Sequence, residues 1–319
     1  MESGEEIADK AMELGFRELE LGYHTTLFQV KGFKARLDQI PVGSVHAFCP
    51  VPISAPQGYP ELYSLASFDE ESRKMAKLMI GRNIKFAAEM GADTVVLHAG
   101  RVPFGRIFDR LDTAKLREVF KDGDGHVDDK KYAKTLARAT KRRQTRGEKM
   151  LDIFKKELSE LVPVLEKNKV TLALENLPYF EGFPLPDELH TILAWDLGGW
   201  VKGWYDTGHA RVCEMHGWHS QPSQLSQPSQ LSQPSQLSQP SQLSQPSQPS
   251  QPLNFIGMHL NDVEAFNDDH LAPGMGKVDF AALKTFAENM RHVVFEPNAG
   301  VKEADLKRGV EHIRKIWNV

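Results

Sequence analysis

Short apolar segments recur along the chain, and most are separated by longer segments in which apolar residues return at helical spacing. The apolar segments cover residues 16–22, 42–48, 94–97, 170–174, 201–205, 255–260 and 293–295. Helical spacing is clearest over residues 5–14, 70–90, 149–168 and 280–290. Because short buried strands that alternate with amphipathic helices are typical of βαβ units, the pattern predicts a parallel sheet.

The alternation predicts an α/β protein whose residues 1–319 form a single (β/α)8 TIM barrel. Seven strand segments are visible, whereas a closed barrel of this kind needs eight. The chain opens with a helical segment, residues 5–14, so we expect the first strand of the barrel to be the absent one, through a truncation or a misplaced start. A length of 319 residues suffices for one large core and does not require a second domain.

Two segments interrupt the alternation. Residues 101–148 form a charged insertion, which we expect to be a polar excursion or a helical lid on one face of the barrel. Its cluster of Arg142, Arg143 and Arg146 suits a phosphate contact or a solvated helix face, and the solvated face is the simpler interpretation. Residues 220–252 repeat SQPSQL and then SQP. Because that composition is too polar and too rich in proline to bury a core, we expect a disordered or polyproline-like loop.

Charge and composition exclude several classes of partner. The 39 Lys and Arg residues against 43 Asp and Glu residues give a net charge of -4, which provides no global attraction to nucleic acid or an anionic membrane. No apolar run approaches the roughly 20 residues that cross a bilayer. Cys49 and Cys213 are too few for a disulfide framework. We therefore expect a cytoplasmic protein with no membrane partner, and self-association into a homo-oligomer stays open.

Residue types that bind metals follow nearly every predicted strand. These residues are His46, His98, Glu175, Asp206, His209, His259, Asp262, Asp268, Asp269, His270 and Glu296. In a parallel barrel the carboxyl ends of all strands meet at one mouth, where so many imidazoles and carboxylates would be costly to bury without a cation. We therefore predict a divalent metal with mixed nitrogen and oxygen ligands, which suits Zn, Mn, Co or Mg. The absence of cysteine from this set argues against a structural zinc.

Five strand-end motifs are distinctive: LALENLP, YDTGHA, MHLND, DDHLAPGMGKVDF and FEPN. They resemble those of the xylose isomerase-like barrel superfamily, which contains sugar phosphate isomerases and epimerases together with endonuclease IV. The resemblance covers nearly the whole chain apart from the two interruptions. It implies a metal held by one ligand from each of four strands, namely Glu175, Asp206, His259 and Glu296. It also implies that Glu175 and Glu296 flank the substrate carbon and pass its proton.

Proton transfer next to a carbonyl suits this ligand set. A metal that polarises a ketone and its neighbouring hydroxyl stabilises an enediolate, while a carboxylate on either face removes and returns the proton. His209 and His98 are placed to contact the substrate. Aromatic residues near the strands suit either the wall of a compact sugar pocket or the core, and the core is the more frequent place for such residues; they are Phe48, Tyr179, Phe180, Phe183 and Trp204.

Endonuclease IV implies a different use of the same positions. His46, His98 and Glu175 would bind one metal, and His209, Asp268 and His270 a second. The shared quartet would then complete a three-metal cluster that cleaves a phosphodiester in abasic DNA. The strand-end loops are apolar or acidic rather than basic, which favours a small-molecule sugar over nucleic acid. We therefore predict a metal-dependent sugar or sugar-phosphate isomerase or epimerase, with the nuclease and a non-catalytic barrel as alternatives.

Overall fold

The computed structural model describes residues 2–53, 55–105, 107–118, 130–218 and 254–319. Within these ranges seven strands form one sheet in which each neighbouring pair is parallel. In sheet order they are β1 Leu19–Leu21, β2 Val42–His46, β3 Thr94–Leu97, β5 Thr171–Glu175, β7 Val201–Asp206, β8 Phe255–Leu260 and β9 His292–Phe295. A short antiparallel pair, β4 Gly100–Arg101 and β6 Gly182–Phe183, lies beyond the strand ends. The predicted TIM-barrel fold, with seven strands, is confirmed.

Helices connect the strands. They are α1 Gly4–Glu13, α2 Leu27–Lys34, α3 Glu70–Met90, α4 Ile107–Glu118, α5 Lys130–Asn168, α6 Pro186–Leu193, α7 Thr207–Met215, α8 Lys284–Ala287 and α9 Glu303–Trp317. The helices predicted over 5–14 and 70–90 agree with α1 and α3. The helix predicted over 149–168 begins earlier, within the charged insertion, and the one predicted over 280–290 is reduced to α8. In the described part of the chain, no helix combines the length and apolar character that crossing a membrane requires.

Local signals explain where these helices begin and end. The Ser3 hydroxyl accepts a hydrogen bond from the backbone of Glu6, whose carboxylate accepts one from the backbone of Ser3, a capping box that starts α1. The carboxylate of Asp69 caps α3 by accepting a hydrogen bond from the backbone of Ser72. Helix α3 ends at Gly91, whose φ of 81° is the left-handed conformation that glycine adopts without steric cost. Each cap fixes the point at which the chain turns towards the next strand.

The charged insertion packs against the barrel instead of standing in solvent. Arg143 on α5 is only 2% exposed, and its guanidinium donates to both carboxylate oxygens of Glu188 on α6. Arg142 pairs with Asp112 on α4. The interpretation of the arginine cluster as a solvated face is therefore wrong for Arg143, since the long helix α5 turns that residue towards the core. Residues 119–129 of the insertion and the predicted repeat loop at 220–252 lie outside the described residues.

The two edges of the sheet, β1 and β9, face each other across a cavity of about 270 Å³. Side chains bridge this space: the Phe16 and Phe295 rings are 5.4 Å apart, and a carboxylate oxygen of Glu18 lies 3.0 Å from Nδ1 of His292. In the described ranges each edge strand has a backbone-paired neighbour on one side. The seven strands thus curve into a nearly closed barrel whose carboxyl ends still converge on one mouth.

Candidate metal centre

Four side chains from neighbouring strand ends meet at the mouth of the barrel. Glu175 ends β5, Asp206 ends β7, His259 is the next-to-last residue of β8, and Glu296 directly follows β9. One ligand atom from each lies within 4.8 Å of the others. Parallel pairing places β7 beside β5 and β8 beside β7 in a register that sets Asp206 opposite His259. The structure therefore brings together the four residues that the motifs single out.

Nδ1 of His259 is surrounded by carboxylate oxygens. It lies 3.1 Å from Glu175 Oε1, 3.1 Å from Glu296 Oε2 and 3.7 Å from Asp206 Oδ2. One imidazole nitrogen carries at most one proton and cannot satisfy three acceptors. Glu296 Oε2 is buried and makes no hydrogen bond of acceptable geometry. A divalent cation fits this donor set, because it would offset the buried negative charge and accept the nitrogen and oxygen lone pairs together.

The two glutamates of the quartet have pKa values shifted in opposite directions. Burial by itself raises the pKa of Glu175, but the neighbouring His259 and His98 lower it well below its ordinary value of 4.5. Burial raises the pKa of Glu296, and the negative charges of Glu175 and Asp206 raise it further against the opposing effect of His259. Without an ion, Glu175 is therefore suited to accept a proton and Glu296 to hold one.

A second group lies on the other side of Glu175. His46 ends β2 and His98 follows β3, and Nε2 of each lies 3.1 Å from Glu175 Oε2. Nδ1 of His46 is 2.6 Å from the carbonyl oxygen of Ala47. Because a carbonyl can only accept, Nδ1 carries a proton, and Nε2 is the ring nitrogen that faces the carboxylate of Glu175. Nε2 of His46 and Oε2 of Glu175 can be this close only with a proton or a cation between them.

A third group repeats this geometry. Nδ1 of His209 is 2.7 Å from the carbonyl oxygen of Asn176, and Nδ1 of His270 is 2.9 Å from that of Glu296. The Nε2 atoms of the two histidines face the carboxylate of Asp268 at 3.5 and 3.1 Å. His270 has a φ of 45°, a strained conformation for a residue other than glycine. Ligand atoms of this group also lie within 4.8 Å of one another.

Asparagines next to the strand ends hold Asp206 in place, and sequence analysis missed them. Asn261 donates from Nδ2 to Asp206 Oδ2 at 2.6 Å. Asn176 accepts from the backbone N–H of Asp206 at 2.7 Å and donates to its carbonyl oxygen at 3.0 Å. The available signal was their position within the ENLP and HLND motifs. Other polar residues near the centre that were missed are Glu20, Tyr23 and Glu61.

Asp262 and Asp269, two of the candidate ligands in the sequence, lie outside all three groups. Asp262 is fully buried, and its carboxylate accepts backbone N–H groups. The donors are Val263, Gly274, Gly276 and Val278. Asp262 therefore organises the loop that carries His270, while Asp269 accepts from the backbone of Glu264. A metal-binding role for Asp262 was a wrong expectation, because its oxygens are already satisfied.

The aromatic residues expected around the pocket lie at different depths. Trp204 is 0% exposed and packs with Val96 and Ala173 inside the barrel, with its ring centroid 5.0 Å from that of His259. Since side chains alternate along a strand, Trp204 lies one layer beneath Asp206. Phe48, Phe180 and Phe183 are buried in the main core. The ring of Tyr179 lies 3.4 Å from the guanidinium carbon of Arg101, and this pair stands nearer the mouth.

The family profile described as xylose isomerase-like TIM barrel matches residues 8–316. Solved structures with a similar fold include a D-tagatose 3-epimerase-like protein, at 19% identity and a TM-score of 0.61, over 99% of this chain and 94% of that one. A 3-keto-D-glucoside 4-epimerase from E. coli matches at 15% identity and a TM-score of 0.60, over 99% and 95%. A D-psicose 3-epimerase studied with D-fructose matches at 14% and 0.60, over 98% and 93%. No curated protein matches the sequence significantly.

Proposed function

The chain belongs to the xylose isomerase-like TIM barrel family, and from that premise we propose that it is a divalent-metal-dependent sugar isomerase or epimerase. The observation that carries the proposal is geometric: ligand atoms of the buried Glu175, Asp206 and His259 and of Glu296 all lie within 4.8 Å of one another at the mouth of the barrel. Similar solved structures are named as a D-tagatose 3-epimerase-like protein, a 3-keto-D-glucoside 4-epimerase and a D-psicose 3-epimerase, which supports a ketose or a related sugar as substrate.

The ion would be held by the quartet of Glu175, Asp206, His259 and Glu296. When bound, it supplies Lewis acidity that polarises a substrate carbonyl and the adjacent hydroxyl. The nitrogen and oxygen donors suit Mn, Zn, Co or Mg. The two asparagines that fix Asp206 keep one carboxylate of the quartet in a single orientation.

Proton transfer is assigned to the two glutamates. Ionised Glu175 removes the proton from the carbon next to the carbonyl, and that proton comes to rest on its carboxylate. Glu296 donates a proton to the opposite face of the same carbon, so the configuration is inverted and the net proton count is unchanged. For an aldose–ketose isomerisation, the proton would return to the neighbouring carbon instead. His98 and His209 are buried beside Glu175. We assign them to contacts with substrate oxygens.

A phosphodiesterase is the second candidate, because one observation favours it. The structure brings together all three groups expected for a three-metal cluster: His46 with His98 and Glu175, His209 with Asp268 and His270, and the quartet. In the first two groups histidine Nε2 atoms face carboxylates, an arrangement that a cation would relieve. Abasic DNA would then be the substrate. A non-catalytic barrel is the third alternative.

Elemental analysis and two assays separate these candidates. The metal content of the purified protein should be measured for the wild type and for His270→Ala, which removes one ligand of the third group. The protein should then be incubated with a panel of ketoses in D2O, with NMR detection of C–H exchange, and with an abasic-site duplex. One ion per chain, unchanged in His270→Ala, together with sugar exchange supports the isomerase. Three ions and duplex cleavage would establish the phosphodiesterase, and no bound ion with neither activity would leave the non-catalytic barrel.

A further inference from the structure

Glu20, the middle residue of edge strand β1, reaches into the barrel with both carboxylate oxygens engaged. Its side chain is 6% exposed. Oε1 lies 2.9 Å from Nε2 of His259, and Oε2 accepts a hydrogen bond of 2.6 Å from the hydroxyl of Ser44 on β2. The Ser44 contact holds the carboxylate in one orientation, so Glu20 presents a fixed acceptor to the His259 ring.

His259 therefore uses its two ring nitrogens differently. Nδ1 faces Glu175 and Glu296 at the centre, each at 3.1 Å, while Nε2 faces Glu20. An ionised carboxylate can only accept, so Nε2 carries a proton. In the neutral ring Nδ1 is then the atom with the free lone pair, which is the form that a divalent ion requires. Donation from the distal N–H to a carboxylate also restricts ring rotation and raises the basicity of the ligand nitrogen.

We propose that Glu20 is a positioning residue for the metal centre, which holds His259 in the tautomer and the orientation that present Nδ1 to the ion. This inference rests on the proposed function, because it assumes that the quartet binds a metal. It assigns a role to β1, which contributes no ligand to any of the three groups. Ser44 does not contact His259 in this scheme; its hydroxyl acts indirectly, by orienting the carboxylate of Glu20.

A second carboxylate–histidine pair nearby provides a matched control. Glu18, two residues before Glu20, has Oε2 at 3.0 Å from Nδ1 of His292, whose Nε2 lies 2.9 Å from Asp93 Oδ1. This pair also joins the start of β1 to another strand across the gap. His292 belongs to none of the three candidate ligand groups. A substitution at Glu18 therefore reports on how firmly β1 is docked, without touching the ligand tautomer.

The test is a titration with Co(II), followed by calorimetry and by the visible absorption of the bound ion. The proteins are the wild type, Glu20→Gln, Glu20→Ala, Ser44→Ala and Glu18→Gln. We expect Glu20→Ala to weaken the quartet's affinity by about 10- to 100-fold and to alter the absorption spectrum. Glu20→Gln, which keeps the shape and a neutral acceptor, should lose less. Glu18→Gln should bind Co(II) as the wild type does, with the wild-type spectrum.

The outcomes distinguish this inference from the proposed function. A wild type that binds no ion contradicts the metal centre itself. A wild type that binds Co(II), with Glu20→Gln and Glu20→Ala equally tight and spectrally unchanged, overturns the positioning role alone. An equal loss in Glu18→Gln would also overturn it, since general loosening of β1 would then explain the effect. If Glu20→Ala fails to fold by circular dichroism, the isosteric Glu20→Gln and Ser44→Ala decide the question.

Discussion

Glu175 and Glu296 place carboxylate oxygens within 4.8 Å of each other, although one ends β5 and the other follows β9. The two carboxylates share His259 Nδ1 as a neighbour at 3.1 Å. Their mutual repulsion is resolved by opposite pKa shifts, with Glu175 kept ionised by its histidines and Glu296 made easier to protonate. These shifts belong to the metal-free centre, in which Glu175 is ionised and Glu296 is the easier of the two to protonate.

Replacing Glu296 by glutamine removes the proton donor and keeps the shape of the side chain. We expect Glu296→Gln to lower the rate at which a ketose substrate is epimerised or isomerised by at least about 100-fold, because a positioned acid or base contributes roughly that factor or more. Formation of the product sugar is measured by NMR. Glu311→Gln, on the exposed side of α9, is the control and should retain the full rate. An active, folded Glu296→Gln would refute the proton-transfer role.

Metal affinity should rise with pH. Burial lowers the pKa of His98, but Glu175 outweighs it and raises the pKa to about 9. Burial also lowers the pKa of His270, but the carboxylate of Asp268 outweighs this effect and raises the pKa to about 9. A protonated histidine must lose its proton before it can bind the metal. If these histidines are ligands, metal affinity should therefore increase from pH 6.5 to pH 9, and the number of protons released per bound ion should fall over the same range. Calorimetry in buffers of different ionisation enthalpy measures both quantities.

The metal-free protein should show the opposite dependence. A histidine whose pKa is higher in the folded state than its ordinary value of 6.5 stabilises the fold fully below that value, and the contribution is lost as pH rises towards 9. The free energy of unfolding of the metal-free protein, from urea titration, should therefore decrease from pH 6.5 to pH 9. His98→Gln should reduce this slope. A slope that is unchanged in the variant would contradict the raised pKa of His98.

The ring of Trp204 packs directly against the backbone of Gly257 inside the barrel. A Cβ atom on Gly257 would lie 2.2 Å from Cζ3 of the buried Trp204 ring, so an alanine cannot fit without displacing the ring. We expect Gly257→Ala to destabilise the protein by about 1–3 kcal/mol, the usual cost of overpacking. Gly81→Ala is the control, since no atom beyond the backbone of its own stretch of α3 lies within 4 Å of the added Cβ. There we expect stabilisation of about 1 kcal/mol from helix propensity, measured by urea unfolding.

Arg143 ties the charged insertion to the barrel. Removing a partner from a buried ion pair leaves the other charge uncompensated, so Arg143→Ala should cost about 3–5 kcal/mol of unfolding free energy. Arg142→Ala removes a neighbouring arginine from the same helix, but that side chain is 37% exposed, and we expect a loss of about 0–1 kcal/mol. Equal effects in the two variants would contradict the assignment of Arg143 to the core.

Strand positions and the residues at their carboxyl ends were predictable from the sequence, because each depends on a local pattern. Glu175, Asp206 and His259 stand at or next to the ends of short apolar runs, and a parallel barrel brings such ends together whatever their spacing along the chain. The three ligand groups expected from the motifs are accordingly those that the structure assembles.

Only the tertiary structure shows which residues support the ligands and which charged residues are buried. Glu20 is one charged residue in a short strand, and its partner His259 lies 239 positions further along the chain, so no local pattern connects them. Arg143 looked like part of a solvated face because its sequence neighbours are charged, and only the packing of α5 against α6 buries it. The spacing of hydrophobic residues depends on neighbours in the sequence. Hydrogen-bond partners and depth of burial depend on neighbours in space, and the chain acquires these only when it folds.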